Sequence, residues 1–427
     1  MNRKISGPPL KKRYLLVVKN LTFLYSHFWG IAQIIQRSGW EVWIAAGRTA
    51  DPQRIIEAGM RYVPLNPCRG AWDVLGEIRI VFQTHRAIRE IKPDVAHFIY
   101  LKNVLTGGIL ARINRVPAVL GAITGLGSLF ADDRLTYRLL RSGTLAGLRI
   151  GFRHPNAMIA LENIDDEALL IRAGAIRPGH TSVIRGSCVD QKVAPPKNPQ
   201  AIPPIILCTS RMIRQKGIAT LIEACGLLSQ RGVQFELWLA GDVDLGNPQS
   251  LTAEALRLAE TLGPVKWLGH RTDIGHLLQQ CSVFCLPTYY REGLPRSLVE
   301  AAAAGRAIVT TDMPGCRDIV THNVNGLLVE PRSVRELSSA LERLLLNPEE
   351  RERMGLASRR AFETDYTPEL VLSAFNNCYD LLGLALNLTA PPLMDRAADL
   401  QNVPQDVPAT GVGAAKFRGQ GQDAGGR

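Results

Sequence analysis

The sequence has no uncharged apolar run of the roughly 18 residues that a bilayer-spanning helix needs, so any membrane contact is expected to be peripheral. The opening MNRKISGPPLKKRYLLVV is basic, but its apolar run is broken by Lys19 and no small-residue cleavage site follows, which argues against a signal peptide. The eight cysteines, at 68, 188, 208, 225, 281, 285, 316 and 378, are scattered. Cys281 and Cys285 form the closest pair, with no second pair and no histidine cluster at metal-binding spacing. A disulfide framework and a structural zinc site are therefore excluded, and reduced thiols in a reducing compartment are expected. Aromatic residues make up only 6% of the chain, with no basic stripe interleaved by aromatics and no known nucleic-acid module. Nucleic acid is not an expected partner. No internal repeat of short period is present.

What is there is an ordinary globular composition: 427 residues, 46% hydrophobic and 21% charged, enough for two domains with a core each. The formal net charge of +11 favours contact with polyanions, whether nucleic acid, an anionic membrane or phosphorylated small molecules, and does not choose among them. Apolar runs recur at 14–18, 41–46, 94–99, 118–124, 157–161 and 181–186, separated by longer segments of helical period. Continuous apolar strands alternating with helices indicate parallel sheet covered on both faces. The stretch DQKVAPPKNPQAIPP, rich in proline and polar residues, reads as a linker. A second series follows, with strands at 204–210, 235–241, 265–269, 283–288, 307–312 and 326–330. The chain is therefore expected to be α/β, two doubly wound domains in tandem with a cleft between them. The boundaries expected are a basic leader (1–13), an N-terminal domain (14–190), a linker (191–203), a C-terminal domain (204–365), a helix returning toward the N-terminal domain (366–388) and a tail (389–427) whose Pro, Gly, Ala, Gln and Asp content predicts disorder. In such sheets ligands bind at the carboxyl ends of the strands.

Two segments carry chemistry. Residues 288–320 begin at a strand end, turn at Glu292 and Gly293, and start a helix at Pro295, which suits a first helical turn. Backbone N–H groups around 293–297 would offer an anion site for a diphosphate. Glu292 could accept hydrogen bonds from sugar hydroxyls, and Glu300, inside an apolar helix face, needs donors that ribose hydroxyls would supply. Taken singly, Glu292 also reads as a helix-start residue favoured by the dipole and Glu300 as a solvated one. Residues 209–224 likewise leave a buried strand and open a helix, placing Arg211 and Lys216 where two cations could hold a diphosphate and stabilise a departing nucleotide. An ordinary basic loop would look the same.

Together, Arg211, Lys216-Gly217, the Glu292 and Glu300 pair and TTDMPGCRDIV resemble the large family 4 of retaining glycosyltransferases, of GT-B fold with two Rossmann-like domains. Within it the chain is similar to bacterial enzymes that build capsule, O-antigen (lipopolysaccharide) and polyprenyl-linked glycans. The resemblance implies a nucleotide diphosphate-sugar donor, UDP before GDP, bound by the C-terminal domain, and an acceptor on the N-terminal side. It implies Arg211 and Lys216 on the diphosphate, Glu292 on the transferred sugar, backbone N–H groups of Gly293 and Leu294, Glu300 on the ribose, and Gly269, His270 and Arg271 around the base. His97, Asn163 and His27 are candidate acceptor or cleft residues, with His97 expected to face the cleft. No metal and no cofactor are implied, and front-face attack fits a chain with no carboxylate pair suited to double displacement. Asp242-Val243-Asp244 could mimic a metal motif but lies in a loop where acidic turn residues are common.

The N-terminal domain departs from the family pattern. KNLTFLYSHF stands where many members have a Gly-Gly turn, Ile99 where a second histidine often follows His97, and Cys188 where the hinge usually has glycine. Arg3, Lys4, Lys11, Lys12, Arg13 and the Arg-rich stretch 134–153 could meet an anionic cytoplasmic membrane face carrying a lipid-linked acceptor. A solvated basic face reads equally well. The rival functions are a GT-B epimerase or phosphorylase, and a nucleotide-sugar-binding or nucleic-acid-binding protein without transfer activity.

Overall fold

The structure, a computed structural model, describes residues 11–66, 74–131, 134–185, 203–244 and 247–384. The linker 191–202, most of the leader and the tail beyond residue 384 lie outside the described residues, as do Cys68 and Cys188.

The N-terminal domain is a seven-stranded parallel sheet: β1 (Arg13–Asn20), β2 (Glu41–Gly47), β3 (Arg61–Leu65), β4 (Val95–Ile99), β5 (Ala118–Ile123), β6 (Ala157–Leu161) and β7 (Thr181–Val183), in spatial order 3-2-1-4-5-6-7. The C-terminal domain is a six-stranded parallel sheet: β8 (Ile205–Thr209), β9 (Glu236–Ala240), β10 (Val265–Gly269), β11 (Val283–Leu286), β12 (Ala307–Thr311) and β13 (Gly326–Val329), in the order 10-9-8-11-12-13. The strand order reverses at β1/β4 in the first sheet and at β8/β11 in the second, and these switch points are where a doubly wound sheet opens a crevice. Every residue of β4, β5, β6, β8, β11 and β12 is buried, as expected of parallel strands covered on both faces. One strand, β3, was not anticipated from sequence. It is an edge strand with Pro64 inside it and only Leu65 fully buried, so it shows neither an apolar run nor a clean alternation.

The last described helix packs on the N-terminal domain. Helix Pro368–Leu381 follows the C-terminal domain yet buries Val371, Leu372, Phe375, Cys378 and Tyr379 in the N-terminal core beside Tyr14, Phe28 and Ile99. The Tyr14 hydroxyl hydrogen-bonds the Tyr379 hydroxyl at 2.7 Å, tying the helix to β1. All six described cysteines are free and buried, so burial raises their thiol pKa values and they act as small core residues.

Candidate active site

On the C-terminal side, β8 leads into a 3-10 turn, Arg214–Lys216, closed by Gly217 at φ 75°. That conformation strains any side chain, and a Cβ there would run into the Pro287 carbonyl, so the glycine brings the turn against the end of β11. Lys216 Nζ consequently donates to Glu292 Oε2 at 2.5 Å, both side chains being about one-seventh exposed (13% and 14%). The other oxygen, Glu292 Oε1, is shut from solvent and accepts no hydrogen bond. Leaving a buried acceptor unmade costs about 1–3 kcal/mol, more for a charged group, which marks it as a place for a ligand donor. Arg211, at the same strand end, is more exposed and turned to Asp244, Nη1 to Oδ2 2.6 Å. Arg214 faces solvent. Asp244 thus serves as a partner for arginine, and no group of residues suited to a metal occurs among the described residues.

The N-terminal side grips the turn that carries Glu292. Asn163 is fully buried and caps helix Ile164–Arg172, its Oδ1 accepting the Asp166 N–H at 2.8 Å. Its amide nitrogen donates across the domain boundary to the carbonyls of Gly293 (2.9 Å) and Glu292 (3.3 Å). Beside it, Glu162 Oε2 accepts the N–H of Leu294 at 2.8 Å. Asp166 holds Arg291, Oδ1 to Nε 2.7 Å, in a buried pair, and Gly127 N–H donates to the Arg291 carbonyl at 2.9 Å. A Cβ on Gly293 would collide with the Glu162 carboxyl and the Thr124 backbone, so this contact admits only glycine. Burial pushes the Glu162 carboxyl up to about 8, against the Leu294 hydrogen bond and helped by the Asp166 and Glu292 carboxylates.

The remaining sequence-derived positions fall in three places. Glu300 is on the cleft-side helix Arg296–Ala303, and the donor it needed is Arg296, one turn earlier, at 2.8 Å; Arg296 also reaches the Ser26 carbonyl of the other domain at 2.7 Å. Gly269, at φ 65°, ends β10, with Asp242 4.0 Å from His270 and Asp273 2.6 Å from Arg271. His27 lies on a π-helical turn, Leu24–Phe28. It stacks on Phe23, accepts or donates at Ser26 Oγ (2.6 Å), and lines one cavity with Thr124 and Glu162; burial, then the Arg296 charge, lowers it to about 4. His97 departs from expectation. It is fully buried within β4, its Nδ1 on the Tyr14 hydroxyl at 2.7 Å, among Phe28, Phe375 and Tyr14. A central strand covered on both faces gives a mid-strand side chain no route to the cleft. Sequence reasoning did not single out Glu162, Asp166, Arg291 and Arg296. The available signal was ENIDD, carboxylates directly after an all-buried strand.

Two Rossmann-like sheets facing each other, with Lys and Glu meeting at the β8 and β11 ends, define the GT-B class of transferases. The chain belongs to the group 1 and 4-like glycosyltransferases. Residues 190–361 match the family model "Glycosyl transferases group 1" and residues 14–150 match "Glycosyl transferase 4-like", together more than half of the sequence. It is 24% identical over 354 residues, 80% of this chain and 91% of the relative, to an N,N'-diacetylbacillosaminyl-diphospho-undecaprenol alpha-1,3-N-acetylgalactosaminyltransferase of Campylobacter jejuni. It is 29% identical to the amylovoran biosynthesis glycosyltransferase AmsK of Erwinia amylovora, over 39% of this chain and 42% of the relative. Among solved structures, sucrose-phosphate synthase of Thermosynechococcus elongatus superposes with TM-score 0.72 at 19% identity. Anabaena HepE in complex with UDP and glucose superposes with TM-score 0.65 at 16% identity. Each covers 87% of this chain and 99% of the neighbour.

Proposed function

We propose that this glycosyltransferase moves a hexosyl or N-acetylhexosaminyl group, with retention, from a UDP-sugar to a polyprenyl-diphosphate-linked glycan in the assembly of a cell-surface polysaccharide such as a capsule or lipopolysaccharide. The observation that carries the donor assignment is Glu292: one oxygen fixed by Lys216, the other buried and without a donor. A sugar hydroxyl satisfies Oε1, while Lys216 and Arg211 meet the diphosphate and Glu300 the ribose. Gly269, His270 and Arg271 border the base, and the Gly293 backbone borders the sugar. Asn163 fixes the turn, the Leu294 N–H expected for the donor is instead taken by Glu162, and His27 faces the acceptor. The anomeric C–O bond to phosphate breaks as the acceptor oxygen bonds to the same face. The acceptor proton passes to the departing phosphate, whose charge the two cations stabilise. The reading includes neither a metal nor a cofactor. UDP is preferred because it is the commoner nucleotide of the resembled family and is bound in the HepE neighbour. The lipid-linked acceptor rests on the Campylobacter relative.

Such an acceptor requires the enzyme at a membrane, here the inner face of the cytoplasmic membrane. Among the described residues no helix is long and apolar enough to cross one. Helix Val74–Ile91 exposes Val74, Leu75, Ile78 and Phe82, and helix Leu135–Gly151 exposes Leu135, Leu139, Leu140 and Ile150. Both pack on helix Leu101–Ile113, and arginines 79, 86, 138 and 141 lie among the apolar residues. Apolar insertion flanked by cations suits an anionic surface.

The test is transfer from labelled UDP- and GDP-sugars to a synthetic polyprenyl-diphosphate-linked saccharide, without added metal. Glu292→Ala and Lys216→Ala should each cost about 10²-fold or more in kcat with the fold intact. Near-normal turnover in both would remove the donor-site assignment.

A further inference from the structure

Glu162 has no place in the chemistry above, yet it makes a polar contact with the donor turn from the opposite domain. It is the first residue after β6, and its carboxyl accepts the Leu294 N–H at 2.8 Å, immediately before helix Arg296–Ala303. The sequence had assigned that N–H to the donor. Gly293, between Glu292 and Leu294, has no room for a Cβ because the Glu162 carboxyl and the Thr124 backbone lie against it. Next to Glu162, Asn163 takes both the Glu292 and Gly293 carbonyls. The turn is therefore held by its carbonyls and by one N–H from a single corner of the N-terminal domain.

We infer that Glu162 is a positioning residue: by holding the Leu294 N–H it fixes the Glu292-Gly293-Leu294 turn so that Glu292 Oε1 points at the donor sugar. The inference rests on the donor reading proposed above. It makes the donor half-site dependent on contact between the domains, because the group that sets the turn comes from the acceptor side.

The charges around Glu162 give the contact a pH dependence. Asp166 on helix Ile164–Arg172 is paired with Arg291, and Glu292 on the turn is paired with Lys216. His27 lines the same cavity from the Leu24–Phe28 turn, with Arg296 beyond it. Raised from 4.5 to about 8, the Glu162 carboxyl keeps its proton at neutral pH. Ionisation would add a third carboxylate beside Asp166 and Glu292. The Leu294 bond itself would strengthen on ionisation, so it is burial of the charge and repulsion from Asp166 and Glu292, not loss of the bond, that disturb the turn as the pH rises through about 8.

The experiment compares wild type, Glu162→Gln and Glu162→Ala by hydrogen exchange of the peptide spanning 289–298 in ligand-free protein, and by donor kinetics against pH. Glutamine keeps a carbonyl acceptor and cannot ionise. Its variant should retain protection of the Leu294 amide, keep near-normal kcat, and lack the alkaline limb expected near pH 8 in wild type. Alanine should lose that protection and reduce kcat on the order of 10²-fold, as expected when a catalytic group is slightly misplaced. Exchange elsewhere in the two cores checks that the alanine variant remains folded. Unchanged protection and kcat in Glu162→Ala, or tighter donor binding in it, would overturn the inference; tighter binding would mean that the carboxyl competes with the donor. The exchange arm uses no nucleotide, so failure of the donor reading shows separately, as wild-type protein that neither binds nor turns over any nucleotide sugar.

Discussion

At the scale of single residues, burial decides which polar groups serve the fold and which serve the site. His97 is a fold residue. Burial lowers its imidazole from 6.5 to about 3, so the folded protein holds it neutral while the unfolded chain protonates it below about 6.5. Its contribution to stability is fully present above that pH and is lost as the pH falls toward about 3. The slope is about 1.4 kcal/mol per pH unit. Melting temperatures measured from pH 7 to pH 4 should fall less steeply in His97→Phe than in wild type, and parallel curves would show that His97 titrates normally. Glu292 and Lys216 were legible because each lies in the loop between a buried strand's carboxyl end and the next helix, which is where ligand groups collect. His97 was misread although the apolar run 94–99 already implied a strand covered on both faces, because β4 continues two residues past it, to Ile99. Glu162 was overlooked because its partner, a backbone N–H in the other domain, leaves no mark in the sequence.

At the scale of elements, twelve of the thirteen strands were legible as apolar runs, and β3 was not. An edge strand needs less burial, so its sequence need not alternate or run apolar. Cross-domain contacts were invisible for a related reason: Asn163, Asp166 and Arg291 look like an ordinary helix cap and ordinary surface charges until the turn at 291–294 is brought against them. The Arg-rich stretch 134–153 is mostly a helix that buries Leu148 but exposes Leu135, Leu139, Leu140 and Ile150, which supports the membrane reading over a merely solvated basic face. Co-sedimentation with phosphatidylglycerol-containing vesicles should drop sharply for Phe82→Asp combined with Leu139→Asp, with melting temperature unchanged because both side chains are exposed (69% and 67%). Equal binding by the variant, or equal binding to neutral vesicles, would contradict that surface.

At the scale of the molecule, the two switch points place their loops on one seam, where the C-terminal domain supplies cations and Glu292 and the N-terminal domain supplies the groups that hold Glu292 in place. The returning helix Pro368–Leu381 anchors the end of the C-terminal domain in the core of the other. The central claim is that this seam binds a nucleoside diphosphate-sugar through Lys216 and Glu292. The most direct measurement is the melting temperature of the protein with UDP, GDP, ADP and their sugars, with and without magnesium. A ligand that binds only the native state raises stability, by about 2.7 kcal/mol at a hundred times its Kd. One nucleotide, UDP by preference, should raise the melting temperature independently of magnesium, and Lys216→Ala should abolish the shift. No shift with any nucleotide at millimolar concentration, or an equal shift in Lys216→Ala, would contradict the claim.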